Sequence, residues 1–156
     1  MIVVADTSPL NYLVLIGQVE VLKHLYGHVF IPPAVLAELT RPQTPPSVKH
    51  WAESRHDWLE VKTPRLSATS LAPALDPGET QAILLASETP GSTLIIDESL
   101  GRVEARRRGL IVIGTVGILR QAENAGLLDL KTTLEALKAT TFRVSPAILA
   151  KLLAGK

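Results

Sequence analysis

Short apolar runs rich in β-branched residues recur along the chain, with very few polar positions inside them. The first, IVVA at residues 2–5, is typical of a strand that is buried on both faces of a parallel sheet. Similar runs predict strands at 28–31, 93–96 and 110–113, and a less apolar run predicts one at 58–61. The pattern therefore predicts a sheet of short strands.

Helix-start signals separate these runs. Ser8 followed by Pro9 predicts an N-cap and a first helical residue. Further helices are predicted to begin at Pro33, at Asp76-Pro77 and at Glu98 or Ser99. Alternating strands and helices favour βαβ units, and therefore an α/β fold with three α/β/α layers around a mostly parallel sheet.

The prolines of RPQTPP, residues 41–46, predict a loop rather than a helix or strand. After Gly126 the pattern predicts two further helices within residues 127–156. The first of these carries an apolar stripe with a spacing of three or four residues, formed by Leu127, Leu130, Leu134 and Leu137. The stripe packs either on the rest of the domain or on a partner, and the pattern leaves both possibilities open.

Composition narrows the classes of protein. With 156 residues and 46% hydrophobic content, the chain is long enough for one core, so we expect a single domain over 1–156. The sequence has no apolar run of membrane-spanning length and no signal-peptide core, which favours a cytoplasmic location and no membrane partner. The absence of cysteine excludes disulfides and thiolate metal sites. A net charge of +1 predicts no general affinity for nucleic acid.

Two acidic residues directly follow predicted strands. Asp6 comes after the first strand and Asp97 after the strand at 93–96. Ligands of open parallel sheets bind at the carboxyl ends of the strands, so both carboxylates are candidates for a shared site if their strands are neighbours. Capping of the next helix is the competing explanation for Asp97. For Asp6 it is weaker, because Ser8 is predicted to be the cap.

Two further acidic residues have ordinary structural explanations when each is considered alone. Glu79 stands three residues after Asp76, which is the spacing of a capping box. Glu38 lies in a short predicted helix, where a lone glutamate is commonly solvated.

Together, the four segments that carry these acids resemble the PIN-domain nucleases. The segments are DTS after the first strand, PPAVLAEL, GETQAILLA at a helix start, and LIIDE at a strand end. The similarity covers roughly residues 1–120, and the segment GRVEARRRGLIVIGTVGIL resembles a prokaryotic subgroup near the toxins of toxin–antitoxin pairs. Glu79 stands where many members carry Asp.

The resemblance implies a flavodoxin-like, PIN-like fold and metal-dependent cleavage of single-stranded RNA. It places the catalytic and metal-binding acids at Asp6, Glu38, Glu79 and Asp97. Clustered carboxylates repel one another, and a hard cation such as Mg²⁺ or Mn²⁺ relieves that repulsion. We therefore expect Asp6 and Asp97 to be the closest ligands, with Glu38 and Glu79 orienting water around the metal.

Four other residues are candidates for contact with RNA. Thr7 and Ser8 follow the first acid, and Thr115 opens a helix after the last strand, although capping explains Ser8 and Thr115 equally well. Arg102 lies in the arginine-rich stretch after Asp97 and can pair with a phosphate, whereas a solvated charged face is the ordinary explanation.

Competing functions remain at this point. A receiver domain would need a lysine after the last strand, where the chain has IVIGTVG, and a haloacid-dehalogenase-like phosphatase would need an Asp where Ser8 stands. A non-catalytic PIN-like module that binds RNA or protein is the remaining alternative. The resemblance implies as partners an RNA substrate, an antitoxin protein and a second copy of the chain in a homodimer.

Overall fold

The computed structural model describes residues 2–66, 74–143 and 150. Its strands are β1 (Ile2–Ala5), β2 (His28–Ile31), β3 (Leu59–Val61), β4 (Thr93–Ile95) and β5 (Ile111–Ile113). They form one sheet in the order β3-β2-β1-β4-β5, and all four pairs are parallel. The predicted α/β fold is confirmed, and the sheet is parallel throughout the described residues rather than only mostly so.

The described helices alternate with the strands. They are α1 (Thr7–Leu15), α2 (Val21–Tyr26), α3 (Pro33–Leu39), α4 (Pro46–Glu53), α5 (Pro77–Ser87), α6 (Ser99–Arg107), α7 (Thr115–Asn124) and α8 (Leu130–Lys138). None of the helices among the described residues has both the length and the apolar character needed to cross a membrane.

The core lies on both faces of the sheet because successive strand residues point in opposite directions. In β1, Val3 and Ala5 pack with side chains of α1, α2, α7 and α8, whereas Val4 packs with side chains of α5. All three β1 side chains have no exposed surface. Burial on both faces explains why the strands read as continuous apolar runs rather than alternating ones.

One local expectation was wrong, and one helix was not predicted. The first helix begins at Thr7 with Asp6 in the N-cap position, so Ser8 is a helical residue and not the cap. The predicted loop at 41–46 ends where α4 begins, and this helix was not predicted. Pro46 is the first residue of α4, a position where proline is tolerated because the missing N–H has no intrahelical partner there.

The apolar stripe of the late helix belongs to the core. Leu130 and Leu137 have no exposed surface, Leu134 is 2% exposed, and all three join the cluster that contains Val3 and Ala5. Leu127 precedes the helix and remains 38% exposed. The argument that drew a homodimer from an exposed stripe therefore has no support, and the homodimer remains only what the family resemblance implies. The second predicted C-terminal helix lies largely outside the described residues.

Candidate metal centre at the carboxyl edge of the sheet

The two strand-end acids emerge at the point where the strand order reverses. β1 is paired with β2 on one side and with β4 on the other, and the chain crosses over β1 to reach β4. Asp6 donates its backbone N–H to the Ile95 carbonyl at 2.9 Å, which continues the ladder beyond β1. The strands of Asp6 and Asp97 are therefore neighbours, and the edge they share is where ligands bind in such sheets.

Asp6 is a buried carboxylate that lacks a full set of partners. Its side chain makes no capping hydrogen bond, it is 4% exposed, and its Oδ1 has no hydrogen-bond partner among the described residues. Burial raises the pKa of Asp6 to about 8, with a further contribution from the charges of Asp76, Glu79 and Glu38 and a partial offset from the Thr7 N–H. An unpaired buried oxygen of this kind is costly unless a ligand meets it.

Glu38 joins three helices at this edge. Its Oε1 accepts the Thr7 hydroxyl from α1 at 2.5 Å, and its Oε2 accepts the Gly78 N–H from α5 at 2.9 Å. A Cβ built on Gly78 would lie 2.5 to 2.8 Å from the Glu38 carboxylate, so only glycine admits this approach. The expectation that a lone helical glutamate is merely solvated does not describe Glu38.

The start of α5 is a complete capping box. Asp76 Oδ1 accepts the Glu79 N–H at 2.7 Å, and Glu79 Oε1 accepts the Asp76 N–H at 3.0 Å. Glu79 is 6% exposed, and burial raises its pKa to about 7, with further contributions from Asp76 and Glu98. The structural explanation that the sequence offered for Glu79 is therefore present in the fold.

The geometry brings together a different set of acids from the predicted one. One carboxylate oxygen from each of Asp6, Glu38 and Asp76 lies within 4.8 Å of the other two. Among the described residues, Glu79 and Asp97 do not join this cluster. Sequence reasoning did not include Asp76 among the candidate residues because the capping box already explained it.

These three residues fit a hard divalent cation. Mg²⁺ and Mn²⁺ prefer carboxylate oxygens, and the unpartnered Oδ1 of buried Asp6 is an oxygen for which such an ion would compensate. Repulsion among the carboxylates would also fall when a cation binds. The cluster, referred to below as the acidic triad, can therefore hold a divalent metal.

Asp97 is engaged by the start of α7 rather than by α6. Its Oδ1 accepts the Thr115 N–H at 2.7 Å and its Oδ2 accepts the Thr115 hydroxyl at 2.6 Å. Glu98, not Asp97, caps α6 by accepting the Gly101 N–H. Burial raises the pKa of Asp97, while the two Thr115 bonds and the Arg102 charge oppose that rise.

The four candidate RNA contacts lie at this edge in different settings. Thr7 donates to Glu38 and Thr115 donates to Asp97, so both hydroxyls already have acceptors. Arg102 donates from Nη1 to the Ile96 carbonyl at 3.0 Å, next to Asp97. Ser8 is exposed in the first turn of α1. The structure therefore gives Thr7, Thr115 and Arg102 roles within the protein.

Comparison with known protein families gives one match. A family of PIN domains, designated DUF3368, matches residues 2–155, which is nearly the whole chain. No curated protein and no solved structure matches the chain. The match extends past residue 120, where the resemblance read from the sequence motifs ended.

Proposed function

The chain belongs to the PIN-domain family, and on that premise we propose that it is a metal-dependent ribonuclease that cleaves single-stranded RNA. PIN domains have a nuclease-type fold, and the acidic triad lies at the edge of the sheet where a ligand would bind. The observation that carries the proposal is buried Asp6, whose Oδ1 has no partner among the described residues and whose carboxylate lies beside two others. A protein with no use for a cation gains nothing from leaving this oxygen without a partner.

The proposed catalytic acids are Asp6, Glu38, Glu79 and Asp97. Asp6 and Glu38 would hold Mg²⁺ or Mn²⁺, Asp97 would orient water and substrate around the ion, and Glu79 would act by positioning the start of α5. When bound, the cation would neutralise the carboxylates and stabilise the charge that develops on the phosphate oxygens during in-line displacement. Thr7 fixes the Glu38 carboxylate, and Thr115 fixes that of Asp97, so both acids are held before substrate arrives.

Substrate binding would use the positive groups around this acidic centre. Ser8 lies in the first turn of α1, whose N-terminus opens at the same edge and attracts phosphate. Arg102 uses Nη1 for the Ile96 carbonyl, and a guanidinium has further N–H donors for a phosphate. Thr7 and Thr115 would act through the acids that they orient.

The test is cleavage of a pool of labelled RNAs with Mg²⁺ or Mn²⁺ by wild type and by Asp6→Asn. We expect the variant to lose cleavage while retaining its fold, because the substitution keeps the size of the side chain and removes a buried ionisable group from beside two other carboxylates. Asp129→Asn is the matched control, since Asp129 caps α8 and is not a member of the triad. Equal cleavage by wild type and Asp6→Asn would reject the catalytic assignment.

The toxin of a toxin–antitoxin pair is the biological role we propose for this nuclease, on the resemblance of the segment around residues 101–119. Induced expression should arrest growth in a suitable host, and Asp6→Asn should not. Co-expression of the adjacent small reading frame, where one exists, should relieve the arrest if it encodes the antitoxin. Growth at the rate of an empty-vector strain would reject the toxin role.

One observation favours a non-catalytic module that only binds RNA or protein. Glu79 takes part in the capping box, and both Asp97 oxygens accept hydrogen bonds from Thr115. Two of the four proposed acids therefore have structural roles. Calorimetric titration with Mn²⁺ separates the two functions, because a non-catalytic module has no need of a cation at the triad. Absence of binding to the wild type would favour the module.

A further inference from the structure

The resemblance and the geometry disagree about the third carboxylate of the metal centre. The motif places Glu79 there, whereas the acidic triad contains Asp76. The two residues are three apart and bonded to each other in the capping box of α5, so one segment carries both candidates. Which of them meets the cation is decided by where their oxygens lie.

We infer that Asp76, together with Asp6 and Glu38, ligates the cation, and that Glu79 is a positioning residue that holds Asp76 in place. This inference rests on the proposed metal-dependent nuclease and specifies its ligand set.

The arrangement of oxygens supports this division. One oxygen of Asp76 lies within 4.8 Å of oxygens of both Asp6 and Glu38. Asp76 Oδ1 is occupied by the Glu79 N–H at 2.7 Å, and the carboxylate has a second oxygen for a cation. An aspartate can thus cap a helix and bind a metal at the same time.

The charge of Glu79 reaches Asp6, but Glu79 is not part of the group of oxygens within 4.8 Å of one another, and its hydrogen bonds go to other partners. Its Oε1 accepts the Asp76 N–H at 3.0 Å, and its Oε2 lies 3.8 Å from a Cβ built on Gly101, which places it at the first turn of α6. The first contact closes the capping box within the start of α5, and a side-chain hydrogen bond with Glu98 connects Glu79 to the start of α6. Glu79 fixes the backbone of Asp76, and through it the direction of the Asp76 carboxylate.

The buried side chain of Asp6 indicates independently that a ligand belongs at this point. Asp6 is 4% exposed, its Oδ1 has no partner among the described residues, and one of its two oxygens lies within 4.8 Å of oxygens of Glu38 and Asp76. Glu38 is itself fixed to α5 by the Gly78 N–H at 2.9 Å, two residues after Asp76. The start of α5 thus supplies one ligand and positions another.

Calorimetric titration with Mn²⁺ alone, using the full chain, tests the assignment with two conservative variants. Asp76→Asn keeps a good N-cap, because asparagine caps helices as well as aspartate, and removes the ligating charge. Glu79→Gln keeps an oxygen for the Asp76 N–H. We expect Asp76→Asn to weaken Mn²⁺ affinity about tenfold or more, and Glu79→Gln to change it much less, because glutamine keeps the hydrogen bond that positions Asp76.

The matched control is Asp129→Asn, which changes the N-cap of α8, where Asp129 accepts the Thr132 N–H at 3.0 Å. It should leave Mn²⁺ affinity at the wild-type value. Circular dichroism and urea unfolding in EDTA establish that each variant is folded. If Asp76→Asn is poorly folded, Asp76→Ser replaces it, since serine also caps and carries no carboxylate.

A loss of affinity in Glu79→Gln as large as that in Asp76→Asn would overturn the inference, as would wild-type affinity in Asp76→Asn. RNA cleavage does not enter this measurement, so the two proposals fail separately. A wild type that binds Mn²⁺ through Asp76 and cuts no RNA would reject the nuclease and leave the ligand assignment standing.

Discussion

Asp6 is the residue at which burial and charge most strongly oppose each other. In the metal-free protein burial raises its pKa from 3.8 to about 8, so the folded state holds its proton more tightly than the unfolded state does. Its contribution to stability is therefore complete below about pH 4 and is lost as the pH rises toward about 8. The loss is on the order of a few kcal/mol.

We predict that Asp6→Asn is more stable than wild type in EDTA, and that the difference grows from pH 5 to pH 8. Urea unfolding at each pH measures it, and the variant removes the titration of this one group. Saturating Mn²⁺ should stabilise wild type at pH 8 and leave Asp6→Asn nearly unchanged, because the ion compensates the charge that the variant lacks. Parallel pH curves for the two proteins would contradict this.

Arg102 is the residue whose sequence-based role the structure changes most. The motif favoured contact with RNA phosphate or a solvated face, and the guanidinium instead bonds the Ile96 carbonyl next to Asp97. We predict that Arg102→Ala lowers the free energy of unfolding by about 1 to 3 kcal/mol, because a charge-assisted bond to the strand end is lost.

If Arg102 also contacts RNA, Arg102→Ala should make the plot of log RNA affinity against log salt concentration shallower. The slope should fall by about 1, the value for one phosphate contact. Arg106→Ala is the matched control, since Arg106 is exposed one helical turn later on α6. Binding isotherms at several salt concentrations, with urea unfolding of each variant, separate the two roles. A loss of stability with an unchanged salt slope would show that Arg102 has only a structural role, next to Asp97.

At the scale of elements, the close approach of α3 to α5 depends on Gly78. A Cβ there would meet the Glu38 carboxylate at 2.5 to 2.8 Å. We predict that Gly78→Ala displaces Glu38, weakens Mn²⁺ affinity about tenfold and costs about 1 to 3 kcal/mol of stability, although alanine is the better helix former.

The control for Gly78→Ala is Gly117→Ala in α7, where the added Cβ would meet the apolar Ile113 side chain at 2.6 Å. That substitution can lower stability, but it should not change Mn²⁺ affinity. Calorimetry and urea unfolding of the two variants give the comparison. Wild-type affinity in Gly78→Ala would show that Glu38 is not needed for the metal.

Elements with strong local signals were predictable from the sequence. β1 and β2 have the predicted bounds, and α5 begins with the predicted capping box. α4 was missed because prolines at 42, 45 and 46 dominate the local pattern, whereas the helix is stabilised by burial of Val48 and Ala52 against the core. Burial of this kind is a tertiary effect, so propensity alone does not reveal it.

At the scale of the molecule, the leucines of α8 are part of the core on one face of the sheet. We predict that Leu134→Ala and Leu137→Ala each cost about 2 to 5 kcal/mol of unfolding free energy, as for other buried leucines. Leu127→Ala is the control, because Leu127 is 38% exposed and should cost far less. Urea unfolding measures all three.

The corresponding substitutions to Asp should unfold the protein rather than dissociate a dimer. Sedimentation with circular dichroism distinguishes these results: a folded monomer produced by Leu134→Asp would show that the stripe is an interface after all.

The sequence by itself determined the fold class and the place of two acids. Strands that consist of apolar residues alone must be buried on both faces, which implies a parallel sheet covered by helices. Residues that directly follow parallel strands lie at one edge of the sheet. Asp6 and Asp97 were thus placed at strand ends by the sequence, and the pairing of β1 with β4 in the structure makes their strands neighbours. Glu38 was found only through the family resemblance, because a single glutamate in a short helix carries no local signal.

Only the tertiary structure decided which acids meet. The pattern DPGE predicts that α5 begins with a capping box. That prediction is the same whether Asp76 or Glu79 faces the other acids. The choice depends on α5 starting beside α3 and the end of β1, where Asp76 comes within 4.8 Å of Asp6 and Glu38. A local sequence pattern determines how a helix begins. The acidic residues that lie near its first turn come from segments that are distant in the chain.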